Sequence, residues 1–347
     1  MRAIYLQEFR GPLQVCEVPE PRPSPGGVVI RVEATGMCRS DWHAWAGHDT
    51  DVKLPHVPGH ELAGTIAAVG SEVQHFGIDD RVTVPFVCGC GRCEYCLRGD
   101  AQVCPAQTQP GFSHWGSFAE FVSIENADFN LIRISDVVSM TAAASLGCRF
   151  ATAFRALISR AELQPNEWVA VFGAGGVGLS AIMIAKALGA RIVAVDLSEE
   201  ALDHAQAAGA DITINGREVD SVKAIFEVTS GGADISIDAV GSEATASQSI
   251  LSLRRRGRQV QIGLLPISEG LPRIPLDRVI SYELDLLGSH GMAASDYPRM
   301  LALVEQGSLR PDLLVSRIIG LEEAASELPM VGERSAIGIT IIDPRLL

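Results

Sequence analysis

Residues 167–196, EWVAVFGAGGVGLSAIMIAKALGARIVAVD, constrain the fold more than any other stretch. An apolar run of strand length leads into a glycine-rich turn, a segment of helical length built from small and apolar residues, and a second apolar run ending in an acid. This reads as a βαβ unit. Two parallel strands need a crossover between them, and a right-handed helical crossover packs back on the sheet they share. The alternation continues through EEALDHAQAAGA, ITIN, VDSVKAIFEVTSG, ADISIDAVG, ATASQSILSLRR and QVQIGLL. It predicts an α/β architecture: a doubly wound parallel sheet with helices on both faces.

Inside the first unit, Gly173, Gly175 and Gly178 form G-x-G-x-x-G directly between strand and helix. Glycines there permit the tight turn, the close approach of a pyrophosphate to backbone N–H groups, and helix–strand packing. Asp196 ends the second strand eighteen residues after Gly178. Its carboxylate can accept hydrogen bonds from both adenosine ribose hydroxyls and would repel a 2′-phosphate. Leu197-Ser198-Glu199 supplies no cation to neutralise one, so NAD is expected over NADP. A bare connecting turn is the competing reading, and the presence of strand, helix and acid together argues against it.

The first 140 residues have another texture: β-branched runs such as VVIRVEATG, GTIAAVG, DRVTVPFV and FAEFVSI among Gly and Pro. They predict a compact, irregular β-rich domain. A chain of 347 residues exceeds what one core usually serves. The expected division is 1–146 with 286–347 in one domain and 147–285 in the other. A helix near Tyr297 to Gln306 and a final strand IGITIID are expected to pack back on the first domain.

Five of the eight cysteines fall between Cys88 and Cys104. Cys90-x2-Cys93-x2-Cys96-x7-Cys104 suits a closed tetrahedral S4 site, which leaves no position for substrate and so holds a loop together. An iron–sulfur cluster is the alternative, since C-x2-C-x2-C also opens a ferredoxin pattern and Pro105 follows the last cysteine. The longer gap before Cys104 argues against it. Cys88 is a spare thiol and Cys16 a small buried hydrophobe.

Earlier, GMCRSDWH supplies Cys38, Ser40, Asp41 and His43, and VPGHELAG supplies His60 and Glu61. A catalytic zinc needs about three ligands of mixed N and S type with a fourth position open. Cys38 and His60 are natural choices; Cys148, in ASLGCRFATAF, is one candidate for the third, and spacing alone does not select it.

On these motifs the chain resembles the zinc-dependent alcohol dehydrogenases of the medium-chain dehydrogenase/reductase family over essentially its whole length. They are Gly59-His60-Glu61-x2-Gly64-x5-Gly70-x2-Val73, the cysteine cluster, Cys148 after Leu146-Gly147, and the glycine fingerprint, in that order. The resemblance implies a GroES-like β-rich catalytic domain plus a Rossmann cofactor domain, with NAD and two zincs per subunit. It implies hydride transfer between an alcohol, giving aldehyde or ketone, and NAD, through a zinc-bound alkoxide.

Residue by residue, the resemblance makes Cys38, His60 and Cys148 the ligands of the catalytic zinc, which Glu61 approaches or transiently joins. Asp41 orients His60, Ser40 contacts the bound alcohol, and His43 is the distal base of a relay through the nicotinamide ribose. Arg39 contacts the pyrophosphate. Gly173, Gly175, Gly176, Val177, Gly178, Asp196, Ile262 and Leu264 form the cofactor site, and Cys90, Cys93, Cys96 and Cys104 hold the structural zinc. Many relatives carry a phosphate-binding arginine in the final strand. Here SAIGITI has none, and Arg334 is the candidate substitute. Trp45 and Phe86 are the expected substrate walls, with Trp42 and Trp115 equally open to core packing. His48, His56, His75, His114, His204 and His290 are expected as surface or packing residues.

A net charge of -14 disfavours nucleic acid and anionic membranes as partners. The basic run Arg254 to Arg258 is expected as a solvated helix end without function. With no long apolar run and no signal-peptide pattern, a cytoplasmic protein acting on small molecules is expected. The length resembles that of tetrameric microbial enzymes, implying a homotetramer. Two other readings stay open: a polyol or amino-alcohol dehydrogenase, and a non-catalytic sensor that binds NAD and zinc.

Overall fold

A computed structural model of the chain describes residues 1–265, 270–332 and 338–346. Arg334 lies outside the described residues. The chain forms two compact units, Met1–Ala151 with Gly291–Leu347, and Thr152–His290. These junctions fall five residues beyond the expected 146 and 285. At the second, the strand Asp285–Gly288 still pairs within the parallel sheet, so a boundary at 285 would cut a hydrogen-bonded strand.

The first unit opens with β1 (Arg2–Tyr5), β2 (Gln14–Glu17), β3 (Val28–Met37), β4 (Glu61–Val69), β5 (Arg81–Thr83), β6 (Phe121–Ile124) and β7 (Ile132–Arg133). The second contains β8 (Trp168–Phe172), β9 (Arg191–Asp196), β10 (Ile212–Asn215), β11 (Ala233–Asp238), β12 (Leu253–Gln261) and β13 (Asp285–Gly288). The chain returns to the first unit with β14 (Val315–Ile319) and β15 (Ile339–Ile342).

In the first unit, β3 is the organising strand. It pairs antiparallel with β4, β6 and β15 in a sheet of order β14-β15-β3-β4-β5-β7. Val28, Ile30 and Val32 alternate inward to meet Leu62, Ile66, Val82, Val122 and Ile124, all essentially solvent-free. Period-two alternation places one face of β3 in this core, and each such side chain contributes roughly 1.5–3 kcal/mol of burial. The final strand packs where the sequence suggested, with Ile342 opposite Thr35 of β3.

The second unit is a six-stranded, wholly parallel sheet of order β10-β9-β8-β11-β12-β13. Chain order reverses between β8 and β11, the point at which such sheets open a crevice at their carboxyl ends. β11 is buried throughout, as a central parallel strand covered on both faces must be.

One expectation fails. Arg254 to Arg258 are not a helix end: the preceding helix closes at Leu251, and the arginines lie within β12. Ala233 pairs with Leu253 while Ile235 pairs with Arg258, so the intervening arginines bulge out of the ladder. Each finds a partner there. Arg254 pairs with Asp234, Arg256 with Glu283 and Arg258 with Glu167, while Arg255 stacks on Tyr282.

Candidate active site

Just beyond β3, Cys38 starts the helix Arg39–Trp45. Asp41 secures that start, its Oδ2 accepting the Cys38 backbone N–H at 2.8 Å across the first turn. Its other oxygen, Oδ1, accepts from His60 Nδ1 at 2.8 Å and from the Gly59 N–H at 3.2 Å. Both Asp41 and His60 are fully buried. One carboxylate therefore fixes a helix start and an imidazole tautomer together. With Nδ1 committed as donor, Nε2 presents a lone pair. That nitrogen is buried without a hydrogen-bond partner among the described residues, a cost the fold tolerates where a metal completes the shell.

Cys38, His60, Glu61 and Cys148 each bring one ligand atom to within 4.8 Å of the others. Cys148 arrives from a π-helical turn, Leu146–Phe150, a widened geometry often found at functional sites. The Gly147 carbonyl in that turn accepts from the Phe86 N–H and the Tyr297 hydroxyl, each at 3.2 Å. The hydrogen bond from Cys148 pulls the Cys38 thiol well below its ordinary value, against the effect of burial. The same contact, with burial, pushes Cys148 well above it. Burial would lower His60, and the Asp41 carboxylate outweighs it, holding the ring well above its ordinary value. The donor set thus binds protons that a divalent cation would displace. Two sulfurs and one neutral nitrogen suit zinc.

Glu61 is held from a second side. The Arg149 backbone N–H and Nε both donate to its Oε1 at 3.1 Å, and Nη2 pairs with Oε2. Arg149 was not anticipated. Its signal was a charged residue beside Cys148 in an otherwise apolar segment, and its partner lies 88 positions away. Phe112 was also missed: its ring and that of Phe86 stand edge-on to His60 at 5.3 and 6.0 Å. Trp45 instead packs in the cluster of Ile4, Met37 and Phe118 and donates to the Gly11 carbonyl at 2.9 Å.

Ser40 Oγ lies 3.8 Å from Cys38 Sγ. Arg39 is exposed on the same first turn. His43, one turn further, is half-buried; burial, then His48 and Arg39, hold it below its ordinary value. Its Nδ1 lies 3.0 Å from Nδ1 of His48, which is therefore more than an isolated surface residue.

The second cluster also assembles. Cys90, Cys93, Cys96 and Cys104 bring their sulfurs within 4.8 Å of one another, none in a disulfide. Cys93 caps the short helix Glu94–Leu97 by accepting the Cys96 N–H at 3.5 Å, and Cys104 accepts the Cys90 N–H at 3.4 Å. Backbone N–H groups of Arg92 and Cys93 bring Cys90 down to about 6, while burial pushes Cys96 up to about 12. Cys88 lies apart, its thiol pushed up to about 12 by burial, which makes it inert. Cys16 is only half-buried, on the short strand β2, rather than buried as expected.

In the second unit, Gly173 adopts φ +92°, and a Cβ on Gly178 would stand 1.8 Å from the Gly173 carbonyl oxygen. A Cβ on Gly175 would meet nothing within 4 Å. Gly175 precedes the helix Gly176–Ala187 without any side-chain cap, so the N–H groups of Gly176, Val177 and Gly178 have no capping side chain. Open space before uncapped donors fits a pyrophosphate. Asp196 Oδ2 accepts from the Ala174 N–H at 2.7 Å, and Oδ1 from Leu197 and Ser198 at 2.7 and 3.0 Å. Past β12, Ile262 donates its N–H to the Asp238 carbonyl at 3.1 Å, and Leu264 is 68% exposed, free to meet a ligand.

A parallel-sheet unit with a dinucleotide loop, in one chain with a β unit bearing a Cys–His–Cys cluster, defines an NAD-linked oxidoreductase. The model of the alcohol dehydrogenase GroES-like domain matches residues 24–136, and that of the zinc-binding dehydrogenases matches residues 176–306. An alcohol dehydrogenase of Geobacillus stearothermophilus is 36% identical over 312 residues, 89% of this chain and 90% of that protein. An NAD-dependent alcohol dehydrogenase of Sulfurisphaera tokodaii is 36% identical over 99% of this chain and 100% of its own. The solved alcohol dehydrogenase from Thermus sp. ATN1 superposes with a TM-score of 0.89 at 32% identity, covering 99% of each chain. The chain belongs to the zinc-dependent alcohol dehydrogenases of the medium-chain dehydrogenase/reductase family.

Proposed function

We propose that this chain oxidises small alcohols with an apolar portion to aldehydes or ketones, and reduces these in reverse, using NAD and one zinc held by Cys38, His60 and Cys148. The observation that carries the reading is the buried His60 Nε2, unpartnered among the described residues, beside the converging thiols of Cys38 and Cys148. When bound, zinc polarises the substrate oxygen and NAD exchanges the hydride.

The remaining work falls to this chain's side chains. Asp41 holds His60 Nδ1–H, and Arg149 holds Glu61 by both carboxylate oxygens. Ser40 Oγ accepts the alcohol proton as it passes its own onward, and His43 receives a proton at a ring nitrogen; half-burial keeps that ring toward its neutral, accepting form. Phe86 and Phe112 exclude water beside His60. Cys90, Cys93, Cys96 and Cys104 would hold a second zinc that closes their loop. Asp196 selects NAD over NADP.

The test is zinc content by elemental analysis together with NADH formation on primary, secondary and polyol alcohols. About two zincs per subunit, a colourless sample and alcohol-dependent NADH formation support the reading. Preference for polyols transfers it to the polyol enzymes of the family, and a brown sample would reinstate iron and sulfur in the cysteine cluster. One zinc without turnover would favour a sensor. Ser40→Ala is expected to lower kcat by about 100-fold or more with zinc retained, and full activity in that variant removes Ser40 from the relay.

A further inference from the structure

His43 and His48 approach through like atoms, Nδ1 to Nδ1 at 3.0 Å, and Arg10 Nη2 lies 3.3 Å from His48 Nε2. Both rings stand edge-on to Trp42, with centroids at 5.0 and 5.4 Å. Arg10 is anchored at the end of the helix Arg39–Trp45. Its backbone N–H donates to the Trp45 carbonyl at 2.9 Å and its Nε to that of Ala46 at 3.3 Å. A guanidinium only donates. His48 Nε2 therefore accepts, and the neutral ring carries its proton on Nδ1. That N–H donates to His43 Nδ1, which leaves the His43 proton on Nε2. Two contacts assign both tautomers.

We propose that His43 and His48 form a two-ring proton wire ending at His48 Nε2, and that Arg10 keeps this outer nitrogen free of a bound proton. The inference rests on His43 being the base of the relay. A proton from water forms an N–H bond at His48 Nε2, the His48 Nδ1–H passes to His43 Nδ1, and the His43 Nε2–H leaves along the relay toward the substrate. One proton enters, one departs, and neither ring retains charge.

The starting tautomer pair is the one Arg10 selects, so the contact poises the wire for inward transfer, the direction of carbonyl reduction. Alcohol oxidation runs the same steps backwards and ends in that pair. His48 and Arg10 are exposed, which puts the outer end in water. The charged or titratable groups acting on His43 are His48, Arg39, Cys38 and Asp49. The segment Leu328–Met330, packed against the same helix, contributes none.

The experiment combines ring-nitrogen NMR of histidine-labelled holoenzyme with steady-state NADH consumption on a carbonyl substrate across pH. The expected spectrum shows His43 protonated on Nε2 and His48 on Nδ1, and Arg10→Gln mixes the two tautomers. His48→Phe keeps an aromatic edge against Trp42. It is expected to lower kcat for carbonyl reduction by about tenfold near pH 7, with KM for NADH unchanged and added imidazole restoring the rate. His48→Gln is the second variant, with the same expected loss and rescue. Unchanged kcat in the His48 variants, or a loss that imidazole does not rescue, overturns the wire, as does a wild-type spectrum with the opposite tautomers. His43→Asn separates the two ideas: if it is slow while the His48 variants are not, only the wire fails, and if it too keeps the full rate, the relay itself falls.

Discussion

Asp196, proposed to meet the cofactor ribose, has its carboxylate held in place by the backbone. Three backbone N–H groups, from Ala174, Leu197 and Ser198, orient it at the end of β9. Hydrogen bonds to a charged group contribute about 1.5–3 kcal/mol, so Asp196→Ala is expected to lower kcat/KM for NAD by about 10–100-fold. NADP, which the carboxylate repels, should lose far less. Initial rates with both cofactors check the change in their ratio, and an unaltered ratio would remove Asp196 from cofactor choice. Asp196 was legible because its place follows from a local strand–turn–helix pattern. Arg149 was not, because its meaning depends on Glu61, brought beside it only when β4 and the π-helical turn pack together.

The cysteine segment behaves as an element in its own right. Its helix Glu94–Leu97 is four residues long, too short to persist alone, and four sulfurs converge where few apolar side chains do. A zinc held by the four sulfurs would supply the order that a core otherwise provides. Cys104→Ser should therefore remove about one zinc per subunit and lower the unfolding temperature, as read by elemental analysis and calorimetry. Retention of both metals would show that the cluster does not bind one. This element was readable because its ligands are close in sequence. The arginine run was misread for the opposite reason: a helix end and a bulged strand start can share a composition, and only pairing with β11 and β13 decides between them.

Across the whole molecule, His56 and His114 contribute to how stability responds to acid. Burial holds His56 and His114 below their ordinary value of 6.5. The unfolded chain then binds protons that these two folded-state rings refuse, so their contribution to stability rises with pH through the window between the folded values and 6.5, and falls as acid is added. Calorimetry from pH 7.5 to 5 should show unfolding temperature dropping below about pH 6.5, with a shallower drop in His56→Gln. An identical pH dependence in that variant would exclude His56 from the effect. By itself the sequence determined the parallel-sheet unit, the dinucleotide loop and the cysteine cluster, because each is written in periodicity or spacing over a few tens of residues. Tertiary structure alone brought Cys148 to Cys38 and His60, seated Arg149 on Glu61, and set His48 against His43. Such contacts join atoms whose neighbours are chosen by packing and by the need of each buried charge or donor to find a partner, and no local pattern encodes that choice.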